Sequence, residues 1–226
     1  MREDEERTKA REWCRSCALS TEQVARELGL SGSVGSVAQM YPDVWSRAEE
    51  AERACPIKMG GAAHVDLLYF LVRELRAARV VESGVAAGWS SLALLLGLQA
   101  TSGQLISVDM PYAKLDNEPY VGVAVSAELR ARWTLIRLPD RDGLPRAIRA
   151  LGTVDLAHHD SDKSYPGRQF AYAQMWKALR PGGALVSDDI EDNFGFRDFA
   201  ADLGLRALVT PKAREGSFVG VIRKPS

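Results

Sequence analysis

An α/β chain built on a mostly parallel, doubly wound sheet is what this sequence predicts, and three observations carry the prediction. From residue 63 onward short apolar runs alternate with helix-like segments, the order that yields a parallel sheet with helices on its faces. The first apolar run leads into a glycine-rich turn, VVESGVAAGWSS. Two later runs, VDLAHHDSDKSY and LRPGGALVSDDIEDN, pass directly into acidic residues. In an open parallel sheet the loops at the carboxyl ends of the strands form the binding crevice. Asp160, Asp162, Asp188 and Asp189 are therefore expected at one mouth, together with Lys163. Carboxylates gathered that closely repel one another unless a cation sits between them.

Taken in order, the elements begin with a polar helical arm over residues 1–56. In ALSTEQVARELGL, Thr21 is a plausible N-cap, Val24, Ala25 and Leu28 share one face, and Gly29 stands near the C-cap. SGSVGS (31–36) is a small-residue connector, and WSRAEEAERA continues in helical style to Cys55-Pro56. So polar an arm forms no core alone, so it is expected to pack on the main domain, residues 57–226, as a lid or partner-binding appendage. HVDLLYFLVRELRAA is an apolar helix, RVVESG (79–84) the first strand, and WSSLALLLGLQA the next helix. QLISVD (104–109), TLIRLPD (134–140), VDLAHHD and GALVSDD supply four more strands. YPGRQFAYAQMWKALRPGG reads as a helix stopped by Pro-Gly-Gly. A helix near 195–203 precedes the last two strands, RALVT and SFVGVIRK. Their link, PKAREGS, is too short for a crossover helix, so they pair as a hairpin and the last strand runs antiparallel. Seven strands result.

Composition narrows the function classes. The 226 residues carry a net charge of -1, which gives no electrostatic reason for a nucleic-acid or membrane partner. No apolar run reaches the roughly 18 residues that a membrane helix needs. The charged start, MREDEERTKAREWC, lacks the apolar stretch of a secretory signal, so a cytoplasmic protein is expected. Cys14 and Cys17 form a CxxC in a polar, helix-prone segment, where incidental thiols at helical spacing are the simpler account.

Gly84 and Gly88 let the backbone turn sharply and approach a ligand, with Glu82 just before the turn. By itself this is equally a tight strand-to-helix connection. Asp109, closing the second strand, adds an acid where ribose hydroxyls would be bound. The helix after the turn opens with bulky Trp89 and lacks the third glycine of a dinucleotide fingerprint, favouring a nucleoside cofactor without a diphosphate.

ESGVAAGWSS, ISVDMPY, DLAHHDSDKSY and LRPGGALVSDDI, in this order, resemble the class I S-adenosylmethionine-dependent methyltransferases, with their Rossmann-like fold. Within them the chain is similar to the cation-dependent O-methyltransferases of the catechol and caffeoyl-CoA type, and to a bacterial group that tailors sugars and antibiotics. The resemblance covers about residues 57–223. It implies that Glu82, Gly84 and Gly88 line the methionine and ribose portion of the cofactor, with Ser90 near its carboxylate. Asp109 would hold the ribose, while Met110 and Asp140 would approach adenine. Met59 and Gly60, in KMGGAAH (58–64), would border the cofactor. Asp160, Asp188 and Asp189 fall on the metal ligands, with Asp160 bordering the cofactor as well, and Lys163 falls on the proposed base.

The implied chemistry is transfer of a methyl group from S-adenosylmethionine to a hydroxyl of a small acceptor, a sugar or a phenol. A hard divalent cation held by aspartate oxygens, Mg2+ first among the candidates, would lower the hydroxyl pKa and fix its position. Lys163 is equally a surface lysine paired with Asp162. His158 and His159 must face opposite sides of the sheet, which makes His159 a second candidate base or a satisfied buried histidine. Trp45 in the arm either stacks on an acceptor or packs internally. A metal-independent N- or O-methyltransferase and a non-catalytic cofactor-binding scaffold remain as alternatives. A homo-oligomer is expected, since appended helical arms often mediate dimerisation. Acceptor specificity is assigned to the arm and to loops such as 109–123.

Overall fold

The computed structural model describes residues 2–111 and 116–226. Four helices form the arm: α1 (Arg2–Cys17), α2 (Thr21–Glu27), α3 (Val37–Met40) and α4 (Pro42–Ala54). Then follow α5 (Val65–Glu74), β1 (Arg79–Ser83), α6 (Trp89–Leu98), β2 (Gln104–Val108) and α7 (Ala127–Arg130). β3 (Trp133–Ile136), α8 (Asp140–Leu151), β4 (Val154–His159) and α9 (Tyr165–Ala178) come next. β5 (Leu179–Ser187), α10 (Gly195–Asp202), β6 (Leu208–Pro211) and β7 (Phe218–Arg223) complete the chain.

The seven strands lie in the order β3-β2-β1-β4-β5-β7-β6. β1 to β5 are mutually parallel, and β7 runs antiparallel between β5 and β6. Strand order reverses between β1 and β4, and ligands bind at such a switch point. Among the described residues no helix is long and apolar enough to cross a membrane.

Two cores cover the two faces of the sheet. On one, α5 and α6 pack over Val80, Leu105, Leu156 and Val186, joined by Val24, Leu28, Val37 and Ala48 of the arm. On the other, α8, α9 and α10 cover Val81, Ala157, Leu185 and Ile222, with Cys14 of α1 inserted among them. The arm is thus built into the body of the fold. Trp45 packs on Trp89 with ring centroids 4.6 Å apart, and the Trp89 indole donates to Glu52 at 2.9 Å. Cys14 and Cys17 are free thiols on one helix, as helical spacing implies.

Two local expectations change. Ser20, not Thr21, caps α2: its hydroxyl accepts from the Gln23 amide while the Gln23 side chain accepts from the Ser20 amide. That reciprocal capping box satisfies two end groups at once, which Thr21 cannot do from inside the helix. The helix after Ser164 ends at Ala178, and Leu179-Arg180-Pro181-Gly182-Gly183 already belongs to β5. The strand absorbs Pro-Gly-Gly through an irregular register against Val154 and Leu156, with Gly182 at φ +74°.

Candidate active site

The carboxyl ends of β1, β2, β4 and β5 open into a cleft of about 900 Å3. Its floor is the turn after β1. Gly84 (φ +89°) and Gly88 (φ +94°) both adopt left-handed backbone. A Cβ on Gly84 would run into the Asp160 carbonyl, and one on Gly88 would meet Gly122 Cα at 2.8 Å. Glycine is therefore required twice, for conformation and for space. α6 starts directly from this turn with no side chain capping it, so its first amides face the cleft beside Ser90.

Asp109 follows β2 and is nearly buried. Its carboxylate accepts from the Val85 amide at 3.1 Å and from the Arg137 guanidinium. Burial pushes this carboxyl up, and the Val85 and Arg137 donors oppose the shift. Arg137 was not anticipated: it also holds Glu118 at 2.7 Å, clamping the loop after β2. Residues 112–115 of that loop lie outside the described residues. Met59, Gly60 and Met110 line the cleft. Asp140 lines it too, but its carboxylate is bound by Ser83 and Ser161 hydroxyls rather than turned to an open wall.

Two predicted residues are not brought to the cleft. Glu82 is fully buried beneath the sheet edge, accepting from Ser91 at 2.5 Å and Ser107 at 2.6 Å. Its other oxygen lies 3.3 Å from His158 Nδ1. Burial would lower the His158 pKa, but the Glu82 partner outweighs it and the net shift is upward. His159 points to the opposite face, against Tyr172 with centroids 5.1 Å apart. Burial drives its pKa far down, and Arg168 adds to the effect. A neutral imidazole sealed under α9 cannot serve as a base for a ligand in the cleft.

At the far wall the expected acids do converge. Asp160, Asp162, Asp188 and Asp189 line the cleft with Lys163, and a second lysine joins them, Lys212, from the β6–β7 link. Lys163 Nζ is 3.1 Å from Asp160 Oδ1 and bonds Asp189 Oδ2. Lys212 Nζ is 2.9 Å from Asp188 Oδ2 and also bonds Asp189 Oδ1. The result is an alternating chain of charges: Asp160, Lys163, Asp189, Lys212, Asp188. Burial alone would lower both lysines, yet the facing carboxylates hold both above the ordinary value. Against the burial that would raise it, Lys163 and Lys212 pull Asp189 down to about 2. Asp160 goes the other way, to about 6, through burial and the neighbouring Asp188.

The frame around these acids is Arg168 of α9, fully buried. Its guanidinium donates to the carbonyls of Asp188 (3.1 Å) and Asp189 (2.7 Å) and to the hydroxyls of Tyr172 (2.9 Å) and Ser187 (3.0 Å). Asp189 sits at φ +48°, a left-handed conformation unusual for a non-glycine residue. Arg168 on its carbonyl and two lysines on its carboxylate hold it there.

A divalent ion was expected between these aspartates. The donors are hard oxygens of the right kind, but Asp160 Oδ1, Asp188 Oδ2 and both Asp189 oxygens each face an ammonium nitrogen. Among the described residues no group of three or more His, Cys, Asp or Glu side chains is arranged to hold a metal. As arranged, the set does not fit a divalent ion.

Comparison with known proteins agrees with the fold. Residues 81–190 match the family model described as a methyltransferase domain. No curated protein sequence matches the chain. The O-methyltransferase from Bacillus cereus, solved in complex with SAH, superposes with a TM-score of 0.61 at 18% identity, over 84% of this chain and 98% of that one. TomG from Streptomyces achromogenes, an O-methyltransferase involved in tomaymycin synthesis and solved with SAM, gives 0.61 at 20% identity, over 86% and 92%. Cofactor-bound Rv0187 from MTB gives 0.63 at 18% identity, over 87% and 100%.

Proposed function

We propose that this chain, which carries a methyltransferase domain, moves a methyl group from S-adenosylmethionine to a hydroxyl of a small acceptor, a sugar or a phenol. The observation that carries the reading is the floor of the cleft: the Gly84–Gly88 turn, the open amides of α6 and Asp109 on the adjoining strand. An uncapped helix start attracts a carboxylate, which suits the amino-acid end of the donor. Asp109 keeps acceptor capacity for ribose hydroxyls, since a carboxylate offers about four lone pairs and two are taken. Met110 and the Met59–Ala63 segment give apolar and backbone cover for the nucleoside. Small-molecule sites span roughly 300–1,000 Å3, so a cleft of about 900 Å3 leaves room for an acceptor beside the donor.

In the transfer the S–CH3 bond breaks with its electron pair left on sulfur, and a C–O bond forms from a lone pair of the acceptor. The hydroxyl proton must then leave the oxygen. Lys163, expected as the base, is held protonated by Asp160 and Asp189 and has no vacancy for it. Asp160, with its carboxyl near 6, is the better proton acceptor at the cleft wall. Binding the two reactants together also supplies the orientation on which such a displacement depends.

Incubating the purified chain with methyl-labelled S-adenosylmethionine and a panel of hydroxylated sugars and phenols tests the proposal. Label in an ether product, lost in Asp160→Asn but with S-adenosylhomocysteine affinity retained, supports it. Label on nitrogen acceptors alone would contradict O-methylation.

A further inference from the structure

We infer that Lys212 is a built-in cation of the acceptor site, its ammonium standing where mutual repulsion of the strand-end aspartates requires positive charge. The inference rests on the methyl-transfer reading and adds the group that neutralises the acids and grips the acceptor oxygen. Three carboxylates, Asp160, Asp188 and Asp189, meet at the ends of β4 and β5, and Asp188 is only 2% exposed. Acids this crowded, one of them buried, are tolerated only with partners. Lys163 accounts for Asp160 and one oxygen of Asp189. Asp188 and the other Asp189 oxygen would be left without a counter-charge, and Lys212 covers both.

The position of Lys212 is built rather than incidental. Its side chain is 11% exposed, unlike a surface lysine that trails into solvent. It leaves the β6–β7 hairpin just after Pro211, where its own amide donates to the Ser217 carbonyl at 2.9 Å. The hairpin is anchored on the opposite side by Glu191, which accepts from the Phe218 amide at 2.9 Å. An ammonium has three N–H donors, and Asp188 and Asp189 take two. Because Lys212 lines the cleft, the third is free to meet the acceptor oxygen. The acceptor is thus positioned by an ammonium, and the two lysines bring two positive charges to the three carboxylates.

Manganese alone is the probe. Mn2+ is titrated into the full chain carrying S-adenosylhomocysteine and followed by the electron paramagnetic resonance of the free ion. Calorimetry of S-adenosylhomocysteine in the same samples reports the donor site separately. The wild type is expected to leave the free-ion signal undiminished. Lys212→Met should bind Mn2+ at least about tenfold more tightly, lose that gain when Asp188→Asn is added, and bind S-adenosylhomocysteine normally. Lys212→Arg should behave as wild type. Stoichiometric Mn2+ binding by the wild type, abolished by Asp188→Asn, overturns the inference even if Lys212→Met does not fold, and so does a folded Lys212→Met with no gain. Absence of S-adenosylhomocysteine binding by the wild type would instead sink the donor reading, whatever Mn2+ does.

Discussion

Burial and Asp188 raise the Asp160 carboxyl to about 6, above the ordinary 3.8. Its folded form therefore binds more protons than its unfolded form between those values. By linkage, stability must fall as pH rises through that window and level off above it. Replacing Asp160 with Asn removes this contribution. Relative to wild type, Asp160→Asn should gain about 1–3 kcal/mol on going from pH 4 to pH 7, read from urea melts at both values; parallel curves for the two proteins would refute the shift. The acids were legible in the sequence because a strand end fixes where its next residue goes. Of the cations, Lys163 was legible for the same reason. Arg137, Arg168 and Lys212 come on long side chains from other elements, of the three Lys212 alone lines the cleft, and nothing in their local sequence marks the oxygens they meet. For His159 the reason differs: strand alternation separates it from His158 but does not choose between a base at the cleft and a buried histidine, and the structure buries it.

α9 and the loops after β4 and β5 behave as one unit because Arg168 joins them. Replacing this guanidinium by Leu leaves buried carbonyls and hydroxyls without a donor, at a cost of about 1–3 kcal/mol for each group left unsatisfied. Arg168→Leu should therefore lose about 3 kcal/mol or more in chemical denaturation; a loss below about 1 kcal/mol would show that the loops are held by other contacts. Element types and order follow from the period of the apolar residues, which the sequence displays openly. Boundaries follow from end-group satisfaction, which it displays less well. Ser20 wins the cap of α2 because Gln23 can answer it. Pro-Gly-Gly enters β5 because Gly183 lies tight against the Asp155 carbonyl, its Cβ position only 2.8 Å away.

At the scale of the whole molecule, the arm and the sheet share one core. Val24, Leu28, Val37 and Ala48 pack with residues of α5 and α6, and Ala18 bridges to Val209 at the sheet edge. The sequence predicts that so polar an arm packs on the main domain, and its few apolar side chains suffice because that domain offers them a surface. Removing residues 1–56 should thus yield a chain without a cooperative thermal transition. A sharp transition in the truncated chain would show that residues 57–226 fold without the arm. The same integration sets the cleft at the sheet edge, with two glycines and Asp109 in its floor. The most direct test is calorimetric titration of S-adenosylhomocysteine into wild type and Asp109→Ala. One site per chain, weakened about 10- to 100-fold by the substitution, is the expected result. No binding to the wild type, or equal affinity in both proteins, would contradict the account.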